Sequence, residues 1–220
     1  MSTGRPPSFA RPLLAGLLAL AATGCSVLGN STREASTIYD PEPELRAEPG
    51  WPAVDWQLAL PPPNAARMID SLRIAVRPQP NELQVYKGAQ WARPPSEMLS
   101  DALLRTFEAS GKLPGAARQG SGLNADYRLL LELRRFESDY GAQGAAPAAT
   151  IEVAAKLLHA QDQRIVAARS FARAQPAASA AVPDVVEAFR LGLGELAHEL
   201  AGWTLASGAA HERDAHRQRP

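Results

Sequence analysis

The sequence predicts a two-layer α+β sandwich: a mainly antiparallel sheet packed against two principal helices. Three observations carry this reading. Residues 126–174 contain three consecutive segments in which apolar and polar side chains alternate. Two further segments, Ser96–Ser110 and Val182–Leu205, repeat their apolar residues with the helical period. Each strand therefore has one apolar face and each helix one apolar stripe, and two layers bury both.

From the N-terminus, residues 1–24 carry Arg5 and Arg11 and no acid, then an apolar stretch Leu13–Ala22, then Thr23-Gly24-Cys25. A basic start, an apolar middle and small residues at a cleavage point read as a secretory signal peptide. With Cys directly after the small residues, the segment resembles a bacterial lipoprotein signal. The resemblance implies cleavage before Cys25, diacylation of its thiol and acylation (palmitate) of the new amine. Ala22 stands where Leu is commonest. Two or three acyl chains anchor a protein stably, whereas one does so only marginally. Ser26 follows Cys25 in place of Asp, which by the same resemblance sends the protein to the outer membrane, facing the periplasm.

Residues 25–53 read as a Pro-rich tether. Seven prolines fall between Pro41 and Pro63, a density that forbids helix and stiffens the chain. Trp51 and Trp56 are placed to dock this segment, and Thr37–Tyr39 to add a short edge strand. The domain is expected over residues 54–207. Val54–Leu60 reads as a strand closed by three prolines, Ser71–Val76 as a second and Leu83–Gln90 as a third. Ser96–Ser110 follows Pro94-Pro95; Ser96 is its expected cap, Leu99, Leu103 and Phe107 its stripe, and Gly111 its stop. Asp126–Ser138, Thr150–Ala160 and Arg164–Ala174 form an antiparallel meander whose outward face carries Arg128, Glu132, Arg134, Glu152 and Lys156. In the last strand Ile165, Ala167, Arg169 and Phe171 share a face. Val182–Leu205 is the second helix, with Val185, Val186, Phe189, Leu193, Leu196, Leu200 and Trp203 on its stripe. Residues 208–220 are polar, without apolar period, and are expected to be a disordered tail.

Composition narrows the function. The chain has 220 residues, 23 Lys+Arg, 23 Asp+Glu and one Cys. The balanced charge argues against nucleic-acid binding, and one Cys excludes an internal disulfide or a Cys-rich zinc site. Without residues 1–24 the count is 21 basic against 23 acidic side chains in 196 residues. No run reaches the ~20 apolar residues that span a bilayer. His198-Glu199 begins a zinc-protease pattern, but Gly202 occupies the second ligand position. Gly192 and Gly194 lie inside a helix, where they present no phosphate nest and mark close packing instead. Glu42 and Glu44 lie in the tether, and Arg134-Arg135 is too short for a nucleic-acid footprint. No nucleophile–base pair is evident. The chain reads as neither an enzyme nor a metal or cofactor protein.

The order of features has a wider resemblance. A lipobox is followed by Leu72–Val76, Tyr86, Trp91 and Pro94-Pro95, then a helix with Leu99, Leu103-Leu104 and Phe107. Next come Tyr127-x-Leu129-x-Leu131-x-Leu133-x-x-Phe136, an Arg169-x-Phe171 strand and a helix ending Leu200-Ala201-Gly202-Trp203. This resembles the ABC-type transport auxiliary lipoproteins, which include the paraquat-inducible C-type lipoproteins, over about residues 54–205. The Pro-rich insert 41–53 departs from the pattern. The resemblance implies an accessory subunit of an ATPase, a permease and a substrate-binding protein with a mammalian-cell-entry (MCE) domain, in systems moving phospholipid between membranes. Such a subunit would dock the MCE component, and only Cys25 carries over as a site residue, for lipid attachment. The alternative is an envelope lipoprotein that binds a lipid cargo directly. The charged outward strand face favours docking. Free strand edges can pair with a partner or a second copy, which leaves a homo-oligomer open.

Overall fold

In the computed structural model, residues 35–217 are described apart from 142, 143 and 145, together with residues 1, 3 and 4. Cys25 and the lipobox lie outside the described residues. All the elements belong to the unit Ser36–Pro220, distinct from Met1–Ala35. In chain order they are β1 (Thr37–Tyr39), β2 (Leu58–Leu60), β3 (Asn64–Ala65), β4 (Arg73–Arg77), β5 (Gln84–Trp91), α1 (Pro95–Ser110), β6 (Ala116–Arg118), β7 (Tyr127–Asp139), β8 (Ala148–His159), β9 (Arg164–Pro176) and α2 (Val182–Arg217).

The expected meander forms the frame. β7 pairs antiparallel with β8 from Tyr127↔His159 to Asp139↔Ala148. β8 pairs antiparallel with β9 from Ala148↔Pro176 to His159↔Arg164. Alternation buries Tyr127, Leu129, Leu131 and Leu133 on β7 and Ile151, Val153, Ala155 and Leu157 on β8. The other edge of β7 is lined in parallel by β2 at its start (Leu58↔Tyr127), β3 in its middle (Asn64↔Glu132) and β4 at its end (Val76↔Ser138). Pro61-Pro62-Pro63, which cannot donate to a ladder, break this edge into pieces. The strand expected over Val54–Leu60 begins only at Leu58, and the Val54 N–H donates instead to the Lys112 carbonyl at 2.8 Å. β4 and β5 form an antiparallel pair, and β1 adds to β5 in parallel. Among the described residues the result is one nine-stranded sheet. Its long β7–β8–β9 pairings are antiparallel, and most of the short strands join it in parallel.

Two bulges correct the simple alternation. In β7 the register shifts between Leu133 and Arg135, so Phe136 returns to the core and Glu137 turns away from it. In β9 a shift between Ile165 and Ala167 sends Ile165 to solvent, 52% exposed, and packs Val166 on the core instead.

The helices differ from expectation at their ends. Ser96 does not cap α1 with its side chain; Pro94 is the cap residue and makes no side-chain cap bond. The free donors go to Asp70, whose carboxylate accepts both the backbone N–H and the hydroxyl of Ser96 at 2.9 Å. Gly111 closes the helix at φ 59°, a left-handed conformation that favours glycine. α2 does not stop at Leu205 but continues to Arg217, so the expected tail is helical at least that far. Its extension is held by contacts distant in sequence. Gly208 is buried against the Trp56 indole, and a Cβ there would stand 2.3 Å from Trp56 Cζ2. The Tyr127 hydroxyl lies 2.7 Å from Glu212 Oε1 and 2.6 Å from His211 Nδ1. A phenol has one proton, so the arrangement balances with O–H donated to Glu212 and the His211 Nδ1–H donated to the phenol oxygen. Burial, then the Glu212 carboxylate, hold the Tyr127 phenol well above its ordinary range.

The core between sheet and helices is filled. Phe136 stacks on Phe189 at 4.6 Å, and Trp91 meets both edge-on at 5.9 and 5.3 Å. Leu99, Leu103 and Phe107 of α1 and Phe189, Leu193, Leu196 and Leu200 of α2 are fully buried.

Gly208→Ala is expected to lower stability by up to about 2 kcal/mol. The gain in helix propensity of ~1 kcal/mol is outweighed by overpacking of ~1–3 kcal/mol against a rigid buried indole. Urea unfolding of the variant checks this; an unchanged or raised midpoint would remove Trp56–Gly208 packing as the reason α2 extends.

Candidate functional site

The segment read as a tether is a strap laid along α2. Proline offers carbonyls but no N–H, and the strap is held accordingly. The His198 Nδ1–H donates to the Arg46 carbonyl at 3.0 Å, and Lys112 Nζ to the Pro49 carbonyl at 3.0 Å. His198 Nε2 faces Glu48 Oε2 at 3.6 Å, and its ring packs on Trp51 at 4.9 Å. Two glycines of α2 receive the strap. A Cβ at Gly194 would come within 3.0 Å of the Glu44 carbonyl oxygen, and one at Gly202 within 2.7 Å of Trp51 Nε1. At the strap's beginning, Ala92 N–H donates to the Tyr39 carbonyl at 2.8 Å, and Arg93 pairs with Asp40 at 2.9 Å.

This accounts for several residues singled out in the sequence. His198 is a strap contact, and Gly202, where a second zinc ligand would stand, is the notch for Trp51. Gly192 lies against Gln175 and Ile151 of the sheet, as expected, while Gly194 serves the strap. Glu44 pairs with Arg46. Among the described residues there is no group of three side chains suited to a metal, and no helix long and apolar enough to cross a membrane.

A groove of about 700 Å³ opens between the strap, α2 and β9. Glu44, Arg46, Glu48 and Trp51 line it from the strap, Arg169 and Arg173 from β9, and Leu191, Glu195, Glu199 and Trp203 from α2. Glu199 is clamped by two arginines on one face of β9: Arg169 and Arg173 each approach one of its oxygens at 2.5 Å. Arg169 also lies over the Phe171 ring at 4.7 Å, and Phe171 packs on Trp203 at 5.4 Å. The lining holds four arginines and four glutamates beside Trp51 and Trp203, so the groove is a charge-balanced surface and not an anion cradle.

A second charged cluster was not legible in the sequence. Glu137 is fully buried and takes Arg77 at 2.7 Å and Arg135 at 2.6 Å, and Arg135 reaches on to Asp139 at 2.5 Å. The hydrogen bonds that Arg77 donates to Glu137 hold its guanidinium above its ordinary range. The spacing Leu129, Leu131, Leu133, Phe136 contains the only signal, since its last step breaks the period of two.

The open face of the sheet carries the expected charges. Arg134 lies 3.3 Å from Glu132 and 3.8 Å from Glu152, and Lys156 is exposed.

The model of the ABC-type transport auxiliary lipoprotein component matches residues 37–201. The match begins at β1 and includes the strap, so the Pro-rich insert lies inside the family's span. A crystal structure of a DUF330-family protein from Xanthomonas campestris is 49% identical, with TM-score 0.78, covering 81% of this chain and 99% of that one. The crystal structure of an uncharacterized protein shares 15% identity at TM-score 0.57, over 76% of this chain and 97% of that one, a likeness of fold alone. Among curated proteins no match is found. With three quarters of its length matched, fold and strap included, this chain belongs to the family of ABC-type transport auxiliary lipoprotein components.

Proposed function

We propose that the protein is anchored to the outer membrane through acylated Cys25, faces the periplasm, and docks the MCE-domain component of an ABC transport system that moves phospholipid between membranes. The observation that carries this reading is the succession of a lipobox and the family's matched region, 37–201. The chain that follows Cys25 first joins the sheet at β1, beside β5, and the strap continues from there along α2.

A docking role suits the packing better than storage of a lipid. The layer between sheet and helices is occupied by Trp91, Phe107, Phe136 and Phe189, all fully buried. Eight of the fifteen residues that line the groove over α2 are charged. An acyl chain would need apolar walls along its length, at about 0.8 kcal/mol per buried methylene.

The test mixes the purified mature chain with the periplasmic region of the MCE-domain protein encoded beside it, and measures complex formation and co-purifying lipid by mass spectrometry. The docking reading predicts a complex and no stoichiometric phospholipid. Phospholipid at one per chain without a complex favours direct cargo binding and overturns docking.

A further inference from the structure

Two of the exposed large apolar side chains stand singly, Ile165 at the start of β9 and Leu191 on α2. Three others gather at one corner of the sheet: Ile38, 61% exposed, with Met68 and Leu72, each 45% exposed. Register brings them together. Ile38 of β1 and Arg73 of β4 both face Gln90 of β5, one from each side. With neighbouring strands ~4.8 Å apart, Ile38 and Arg73 lie about 10 Å apart on one face of the sheet. Ile74, next to Arg73, is fully buried, so that face is the outward one. Leu72 precedes Arg73, and its carbonyl accepts the Trp91 N–H at 2.7 Å. Met68 lies in the turn before it, where the N–H groups of Ile69 and Asp70 both donate to the Ala66 carbonyl at 3.1 Å. Ile69 is buried and Asp70 holds Ser96 of α1, so the turn is fixed with Met68 outside.

Two cations stand among these side chains. Arg67 and Arg73 are exposed, and neither has a carboxylate partner among the described residues. In this they differ from Arg169 and Arg173 of the groove, which share Glu199. Of the acids brought to the corner, Asp70 is engaged by Ser96 and Asp40 by Arg93. Glu97, the residue after Ser96, remains exposed. The corner is thus an apolar patch with free guanidinium groups, which phosphate matches through paired hydrogen bonds.

The length of chain before the domain points to the occupant. Ile38 stands thirteen residues after Cys25, and thirteen residues span at most ~45 Å when fully extended. An anchor at Cys25 therefore holds this corner within that distance of the bilayer, at high effective concentration. Interfacial binding grows with buried apolar area and with attraction to anionic lipid, and the corner offers both. We propose that Ile38, Met68 and Leu72 rest in the phospholipid surface that holds Cys25, with Arg67 and Arg73 on lipid phosphates. The inference rests on the anchoring part of the reading above and not on the MCE partner.

The test holds the full mature chain on vesicles by a bond made in vitro. Cys25 is the only cysteine of the chain, so a maleimide phospholipid attaches there whether or not the cell acylates it. The vesicles are phosphatidylethanolamine with a minority of phosphatidylglycerol, and a chain capped at Cys25 with a small maleimide is the reference. Hydroxyl-radical footprinting by mass spectrometry compares Ile38, Met68 and Leu72 with Ile165 and Leu191. Relative to those two, oxidation at the corner is expected to slow about threefold or more on vesicles, because side chains sunk ~5–10 Å into the headgroup boundary lose contact with water. Leu72→Glu combined with Arg73→Glu, both at exposed positions, is expected to abolish the slowing with the unfolding midpoint unchanged. An unchanged ratio in the wild type overturns the inference. So does slowing that survives in the double variant, which marks mere nearness to the anchor. Slowing in the capped chain that follows its own concentration assigns the corner to a second copy, and slowing that appears only with the MCE periplasmic region assigns it to that partner; both overturn the inference. The anchoring reading stands or falls separately, by envelope fractionation of Cys25→Ala.

Discussion

Replacing Cys25 with Ala is expected to leave the precursor uncleaved and to remove the protein from the outer-membrane fraction. The reason is the chemistry of the lipobox. Without a thiol there is no acceptor for the diacyl group, and in lipoprotein maturation cleavage follows that modification. A single acyl chain already gives only about 10⁴ M⁻¹ of membrane affinity, and none gives less. The measurement is fractionation of the envelope with intact mass of the product. The variant should retain residues 1–24 and show at least about tenfold less outer-membrane protein, the order set by losing two or more acyl chains. Unchanged fractionation and an unchanged mass would remove Cys25 as the anchor.

Glu137→Ala is expected to be among the most destabilising single changes in the domain, by about 2–3 kcal/mol. The carboxylate is wholly buried and is shared by Arg77 and Arg135, which reach it from β4 and from its own strand. Removing it leaves two guanidiniums facing each other across an empty site. The loss falls short of the ~3–5 kcal/mol of a fully buried pair because both arginines keep access to water. Chemical denaturation of Glu137→Ala and Glu137→Gln distinguishes charge from packing: Gln keeps the volume and one acceptor and should lose less. A loss below about 0.5 kcal/mol, the level of an ordinary surface change, would contradict the view that this cluster ties β4 to β7.

The elements legible in the sequence were those that repeat a period over many residues. Thirteen residues of β7 and the stripe Phe189, Leu193, Leu196, Leu200 of α2 announce themselves because burial selects the same face again and again. β3 and β6 did not, since two or three residues such as Asn64-Ala65 have no period to read. The bulges at Arg134 and Val166 were missed because alternation assumes an unbroken ladder. Ser96 was misread as a cap because Asp70, the group that receives its donors, is 26 residues away. The continuation of α2 past Leu205 depends on Trp56 and Tyr127, whose contacts with Gly208, His211 and Glu212 exist only after folding. The candidate site divides in the same way. His198, Gly194 and Gly202 stood out as residues needing an explanation, but that explanation is the strap. The groove itself brings together residues from Glu44 to Ala206, a juxtaposition that no local pattern encodes.

The most direct test of the protein as a docked transport accessory is capture of the full-length, acylated chain from detergent-solubilised envelopes, with its partners identified by mass spectrometry. The account predicts that the neighbouring MCE-domain protein is retained with the wild type, accompanied by permease and ATPase, and is lost with Cys25→Ala, which no longer reaches the outer membrane. Clean recovery of the wild-type chain from the outer membrane without the MCE-domain protein would contradict it.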